Sequence, residues 1–309
     1  MKYSIGIDIG GTNTEIGLVD ETGQILLKTK FHTFEYLTSE KYIIKLSDEI
    51  SKFFETIPLQ KIEGIGIGAP MANHFTGFIE DAHNLPWHNN INIVKLLKNN
   101  FNTPIVLSND ANAAAIGEMV YGNAKDLDNF IVITLGTGVG AGIVINKKIL
   151  LGASGYAGEI GHTTAIIEGR QCNCGRKGCL ETYCSANGII ETAKELIEKN
   201  NDSLLHGIQN LSTIDIYNAA IKGDKVSNEV FNITGKILGY QLAQATLITS
   251  PSHIFIFGGV ANAKDLILNP IRNSFYNNLL NVFKSSVKIE LSGLPQGNAA
   301  ILGAASLVL

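Results

Sequence analysis

Two hydrophobic periods alternate along this chain, one of two residues and one near 3.6. Residues 4–9 read as a buried strand, followed by a glycine turn and a second strand at 14–20. Glu21-Thr22-Gly23-Gln24 forms a hairpin turn into Ile25-Leu26-Leu27. From about Ser39 the period lengthens: Leu46, Ile50, Phe53 and Ile57 recur at helical spacing until Pro58 stops them. A strand at 62–68 then enters a Gly-Ala-Pro loop. A helix at 94–100, a strand at 105–108 and a helix at 110–121 closed by Gly122 follow.

The pattern then restarts. Strand 130–135, glycine turn 136–140, strand 142–145, polar turn Asn146-Lys147-Lys148 and strand 149–151 repeat the opening order. Asp8 and Thr134 lie 126 positions apart, as do Gly10 and Gly136, which predicts an internal duplication. Helices are expected at 185–199, 214–222, 227–249 and 264–283, strands at 253–257 and 288–291, and a terminal helix from Ala299. Strands mixed with helices, with a hairpin opening each half, imply an α/β protein of two lobes around a cleft. The expected lobes are 1–120, completed by a C-terminal helix at about 298–309, and a larger lobe at 121–297.

Composition narrows the class. With 45% hydrophobic and 17% charged residues, a chain of 309 residues can bury a large interior, and disorder is excluded. Lys+Arg of 24 against Asp+Glu of 28 leaves a net charge of −4, a poor footprint for nucleic acid. The N-terminus reaches Asp8 before an apolar signal region could form. The uncharged run 130–145 is short of the ~20 residues of a membrane span and carries four glycines. The expectation is a soluble, cytoplasmic protein with neither membrane nor nucleic-acid partners.

The two glycine turns are the first chemical signals. In Asp8-Ile9-Gly10-Gly11-Thr12-Asn13 and Leu135-Gly136-Thr137-Gly138-Val139-Gly140, successive backbone N–H groups can form a concave site for phosphate oxygens. Neither turn is a Walker A loop. The second lacks the third glycine of a dinucleotide fingerprint and leads into a strand rather than a helix. Two phosphate-holding hairpins with a carboxylate at the end of the first strand suit ATP and Mg²⁺, with Asp8 as a hard oxygen ligand, directly or through water.

The cysteines make a second signal. Cys172, Cys174, Cys179 and Cys184 crowd into 13 residues, too close to staple distant parts of the chain. Cys172, Cys174 and Cys179 with His162 complete a closed Cys₃His set for structural Zn²⁺, with Cys184 outside it. That loop tethers Glu159, three residues before His162, and Glu181, two after Cys179.

These motifs, with Asn84-Leu85-Pro86-Trp87, Asn109-Asp110-Ala111-Asn112 and Gly158-Glu159-Ile160-Gly161-His162, resemble the ROK family of sugar kinases and sugar-responsive repressors nearly end to end. The resemblance implies a duplicated actin-like, ribonuclease H-like ATPase fold. It further implies that Gly10, Gly11, Thr12 and Asn13, with Thr137 and Gly138, touch phosphates, and that Gly258 and Gly259 lie against the adenosine. Glu159, His162 and Glu181 would bind sugar hydroxyls.

Asp110 follows an apolar strand and opens a helix, where local sequence alone reads it as an N-cap. The resemblance instead makes Asp110 the general base that takes the sugar hydroxyl proton, with Asn109 on a neighbouring hydroxyl and Gly68 at the substrate. Where the family reads Gly-x-Pro-Gly, this chain has Gly68-Ala69-Pro70-Met71. Met71 takes positive φ less cheaply than glycine and adds bulk near the sugar.

The implied activity is ATP- and Mg²⁺-dependent phosphorylation of a hexose 6-hydroxyl, with glucose first. N-acetylmannosamine, N-acetylglucosamine, mannose, fructose and allose are alternatives, and a homodimer is the implied assembly. The rival from another class is a sugar-sensing ROK regulator lacking its DNA-binding segment. With the first phosphate-loop strand beginning at Ser4 and the chain acidic overall, the expectation is the kinase, without a DNA-binding segment ahead of that strand.

Overall fold

The computed structural model describes residues 2–58, 61–81, 85–87, 89–295 and 297–309. Strands β1 (Tyr3–Ile9), β2 (Asn13–Asp20), β3 (Ile25–His32) and β4 (Ile62–Ala69) come first. The short pair β5 (Phe78–Ile79) and β6 (Ile91–Asn92) and then β7 (Ile105–Asn109) follow. Helix α1 (Ser39–Thr56) precedes β4, while α2 (Ile93–Lys98) and α3 (Asp110–Tyr121) flank β7. The later half runs β8 (Phe130–Leu135), β9 (Val139–Ile145), β10 (Lys148–Ile149), α4 (Glu181–Cys184), α5 (Ala186–Ile197), α6 (Thr213–Ile221) and α7 (Lys225–Thr249). It ends with β11 (His253–Phe257), α8 (Asp265–Asn278), β12 (Lys288–Leu291) and α9 (Ala299–Ser306).

The two five-stranded sheets have orders β3-β2-β1-β4-β7 and β10-β9-β8-β11-β12. Position by position, each opens with strands joined by hairpins and closes with two parallel strands that arrive after helices. The 126-residue repeat in the sequence therefore corresponds to the same sheet built twice.

Contacts divide the chain into two units. The first holds residues 1–128, 142–158 and 293–309, and the second holds 129–141 and 159–292. In the first unit, α9 lies across β1 and β4 at two glycines. A Cβ at Gly6 would stand 2.1 Å from the Ile301 carbonyl oxygen, and one at Gly66 would stand 1.8 Å from that of Ala304. Only glycine lets the helix backbone settle directly on the sheet there. On the other side, Ile5, Ile7, Leu46, Ile50, Tyr42 and Trp87 share a buried cluster. Asn84, the first residue of the Asn84–Trp87 motif, lies outside the described residues.

Several boundaries differ from the periodic reading. β3 runs on to His32 instead of stopping at Leu27, because every residue from Leu27 to His32 finds a partner on β2 and Phe31 packs inward. β9 starts at Val139, three residues early, and α8 stops at Asn278, short of the expected Phe283. The short helix α4 was not expected. Among the described residues, no helix is long and apolar enough to cross a membrane.

Candidate active site and metal centre

Strand register assembles the first group of candidate residues. Asp8 on β1 stands opposite Gly68 on β4, and Gly68 stands opposite Ser108 on β7, one residue before Asn109. These three strands are parallel within a mixed sheet, so Asp8, Gly68, Asn109 and Asp110 gather at their carboxyl ends, where α/β folds present ligand sites. The glycine turn follows directly: the Gly10 N–H donates to the Asn13 carbonyl at 2.9 Å.

The helix cap at α3 is made by Asn109, not Asp110. Asn109 has extended backbone (φ −62, ψ 148), and its Oδ1 accepts from the N–H groups of Ala111 at 2.8 Å and Asn112 at 3.4 Å. Asp110 occupies the first helical position, and its Oδ1 also accepts from Ala111 N–H at 2.8 Å. The surrounding protein raises the Asp110 carboxyl above its ordinary value by desolvation, even though solvent reaches the side chain. The same desolvation, reinforced by the charges of Asp110 and Glu15 and opposed by Lys28, pushes Asp8 up to about 7. Crowded negative charge of this kind suits a divalent cation, which would favour the ionised form of Asp8.

Met71 adopts φ +51, the left-handed region that the family's glycine would take freely. Its side chain packs against the cluster containing Tyr42 and Trp87, which offsets part of the ~1–2 kcal/mol such a conformation costs.

The second group lies on the second unit. At the turn between β8 and β9 the Gly136 N–H donates to the Gly138 carbonyl at 3.0 Å, a tighter closure than the Gly10 to Asn13 bond of the first turn. Gly258, at φ +104, presses on the end of β8: a Cβ there would meet the Leu135 carbonyl oxygen at 2.4 Å. Gly258 and Gly259 thus stand beside the turn carrying Thr137 and Gly138.

His162, Cys172, Cys174 and Cys179 bring four ligand atoms within 4.8 Å of one another. Cys172 Sγ is 3.8 Å from His162 Nδ1, and Cys174 Sγ is 3.6 Å from Cys179 Sγ. A tetrahedral zinc with bonds of about 2.0–2.3 Å separates its ligands by roughly 3.5–3.8 Å, so the set fits. Burial pushes the Cys179 thiol up to about 12 and raises Cys172, so these two would hold thiolate charge only beside a cation, whereas Cys174 is lowered against its own desolvation by the Arg176 N–H and the neighbouring thiols. With Nδ1 turned to the sulfurs, His162 keeps Nε2 for an outward partner. Cys184 stands apart and buried, its thiol donating to the Thr234 carbonyl at 3.6 Å.

Val139, which the sequence marked only as part of the second glycine turn, ties the Glu181 carboxylate and the Glu159–His162 turn to one residue. Its N–H donates to Glu181 Oε2 at 3.1 Å. Its carbonyl oxygen would lie 2.0 Å from a Cβ on Gly161, so the Glu159–His162 turn packs tightly on the same residue. The His162 N–H in turn donates to the Glu159 carbonyl at 3.1 Å.

One consequence is measurable. A Cβ on Gly138 would meet Glu181 Oε2 at 2.4 Å. The carboxylate is the mobile end of a side chain and can yield, so Gly138→Ala should fold with little loss of stability. If Glu181 binds sugar as the resemblance implies, the displaced carboxylate should raise the KM for sugar about tenfold or more, although the resemblance assigns Gly138 to the phosphates. An unchanged sugar KM in Gly138→Ala would show that this carboxylate does not hold the sugar.

The sequence profile of the ROK family matches residues 4–309. A glucokinase of Halalkalibacterium halodurans is 37% identical over 284 residues, covering 89% of this chain and 85% of its own. A ROK family glucokinase from Streptomyces griseus, solved in complex with glucose and AMPPNP, superposes with a TM-score of 0.83 at 32% identity, covering 99% of this chain and 98% of its own. A xylose repressor of Caldicellulosiruptor bescii is 30% identical over 99% of this chain and 77% of its own.

Proposed function

The chain belongs to the ROK family, with the α/β actin-like ATPase fold, and on that premise we propose that it catalyses ATP-dependent phosphorylation of glucose at the 6-hydroxyl. The observation that carries the reading is the end-to-end similarity to glucokinases, combined with a strand register that sets Asp8 and Asp110 together. That carboxylate pair supports an enzyme over a sensor, which has no need of a base. Coupled ADP release over glucose, mannose, fructose, allose, N-acetylglucosamine and N-acetylmannosamine tests it, and glucose should give the highest kcat/KM. No ADP release with any hexose would overturn the enzyme reading.

In this reading Asp110 accepts the 6-hydroxyl proton as the oxygen attacks the terminal phosphoryl group. Asn109, with Oδ1 committed to the helix cap, offers its amide N–H groups to a neighbouring hydroxyl, and Gly68 leaves space beside it. Glu159 and Glu181 accept further sugar hydroxyls while His162 donates through Nε2. The backbone at Gly10, Gly11, Thr12 and Asn13, and at Thr137 and Gly138, cradles the phosphates, with Gly258 and Gly259 against the adenosine. Asp8 would hold the Mg²⁺ that accompanies ATP and neutralises phosphate charge. His162, Cys172, Cys174 and Cys179 would hold a structural zinc that fixes the loop.

The lobes of this reading are 1–120 with about 298–309, and 121–297. Cytoplasmic location and a homodimer complete it, the dimer being tested by sedimentation.

The pH dependence follows from Asp110. A base works ionised, and desolvation raises this carboxyl, so activity should fall as pH drops through a value above the ordinary ~3.9. With ATP and Mg²⁺ saturating, so that the cation keeps Asp8 ionised, the acid limb of kcat/KM for glucose should therefore lie above the ordinary carboxylate range and vanish from the profile of Asp110→Asn. A wild-type profile with no acid limb above the ordinary carboxylate range would remove Asp110 from this role.

A further inference from the structure

Arg170 precedes the cysteine segment and belongs to no set named above, yet its donors converge on one short stretch of chain. Nη1 donates to the carbonyls of Thr182 at 2.8 Å and Gly188 at 3.1 Å. Nη2 donates to Thr192 Oγ1 at 3.0 Å, and Nε to Glu195 Oε1 at 2.9 Å. A second contact with Glu195, Nη2 to Oε2 at 2.8 Å, makes that pair bidentate. The guanidinium lies over the Tyr183 ring, 4.6 Å from its centre, and the Arg170 N–H donates to the Tyr183 hydroxyl at 2.8 Å.

Arg170 thereby ties α4, whose first residue is Glu181 and which it meets at Thr182 and Tyr183, to the longer α5, which it meets at Gly188, Thr192 and Glu195. Four residues are too few for a helix to hold itself, and α4 has no side-chain N-cap. The helix also leaves a carbonyl open: the Ala186 N–H that could close on Thr182 donates to the Gly136 carbonyl instead, at 2.8 Å. Arg170 takes up that carbonyl. Cys179 therefore fixes the chain two residues before Glu181, and Arg170 fixes it one residue after.

We propose that Arg170 is a positioning residue for sugar recognition, acting through α4 to aim the Glu181 carboxylate. The inference rests on the reading of Glu181 as a sugar ligand. The Val139 N–H holds Oε2 from the nucleotide turn, the guanidinium holds the backbone behind it, and the sugar meets a carboxylate constrained from both ends. Arg170 touches no substrate. Its loss acts on how often Glu181 points correctly, which is a KM effect on sugar.

Kinetics of Arg170→Met, Arg170→Lys, Glu181→Gln and the double variant Arg170→Met/Glu181→Gln test this, with zinc content measured on each protein. Arg170→Met should raise the glucose KM about 10-fold or more, leave the ATP KM near wild type and retain zinc. Arg170→Lys keeps charge without the planar fork, so it should lie between wild type and Arg170→Met. Adding Arg170→Met to Glu181→Gln should raise the glucose KM by less than about threefold, because the carboxylate it aims is already gone.

An unchanged glucose KM in Arg170→Met, or effects that multiply fully in the double variant, would overturn the proposal while Glu181→Gln remained impaired. Should Arg170→Met fail to fold, an unimpaired, zinc-loaded Arg170→Lys would overturn it equally. A normal glucose KM in Glu181→Gln would instead remove the sugar-ligand reading, and the proposal with it.

Discussion

Asp110→Asn is expected to lose about 10²- to 10⁴-fold in turnover while still binding glucose and ATP. The structure makes this a clean substitution. Asn109 supplies the cap of α3, so the helix does not depend on residue 110 for its first turn. An asparagine oxygen can accept from Ala111 N–H as the Asp110 oxygen does. The amide cannot take a proton, and that is the only chemistry removed.

Stability should hold or rise. Desolvation raises the Asp110 carboxyl in the folded protein, so the fold prefers its neutral form. The stabilising contribution of that neutral form is complete below the unfolded value of ~3.9 and is lost as pH rises through the folded value. At pH 7 the charge therefore works against the fold, and it also repels Asp8. Asp110→Asn removes both effects. Single-turnover kinetics, glucose calorimetry and a melting curve on one preparation would check all three expectations. Near-normal turnover in a folded Asp110→Asn protein would end the assignment of Asp110 as the base.

The second large effect is expected at the proposed zinc site formed by His162, Cys172, Cys174 and Cys179. Structural zinc contributes on the order of 10 kcal/mol to ordering a small domain, and less appears where the surrounding fold is already stable. The loop here is tied down otherwise by bonds such as Cys172 N–H to the Arg176 carbonyl at 2.9 Å and Gly178 N–H to the Arg170 carbonyl at 2.8 Å. Cys174→Ser should therefore lose zinc without unfolding either unit, and raise the glucose KM about tenfold or more. The KM for ATP should move far less, since Gly10 and Gly138 are not in the loop. His162→Ala should harm glucose binding more than Cys174→Ser, because in the proposed reading it removes a hydroxyl partner together with a zinc ligand. Cys184→Ala should keep its zinc, as that thiol bonds to Thr234 on α7. Metal analysis beside glucose and ATP titrations reads all three variants; full zinc occupancy in Cys174→Ser would show the ligand set to be wrong.

Where periodicity and local capping agree, the sequence predicts elements closely. Strand β8, strand β11 and helix α3 lie where the pattern puts them, the last closed by Gly122 as expected. The misses have tertiary causes. The apolar run Leu279-Leu280 and Phe283 continues the pattern of α8, but Leu279 turns extended (φ −89, ψ 140) and packs inward, ending the helix early. β9 begins among glycines, poor strand formers by themselves, because the buried strand β8 supplies a neighbour to pair with. Helix α4 carries no periodic signal in four residues and is held by bonds from Arg170.

The sequence alone determined the parts whose information is local: the order of strands and helices, the glycine turns that free backbone N–H groups, and the His162–Cys179 spacing of a Cys₃His set. It also carried the repeat at 126 residues, because two copies of one sheet need the same order of local elements. Tertiary structure decided how those parts are aimed. That Asn109 caps the helix and leaves Asp110 to other work depends on backbone angles at one junction. That Asp8 stands across from Gly68 depends on register between strands 60 residues apart. That Val139 orients Glu181 depends on a hydrogen bond across 42 residues, which no local period encodes because any backbone N–H, of any residue but proline, could have made it.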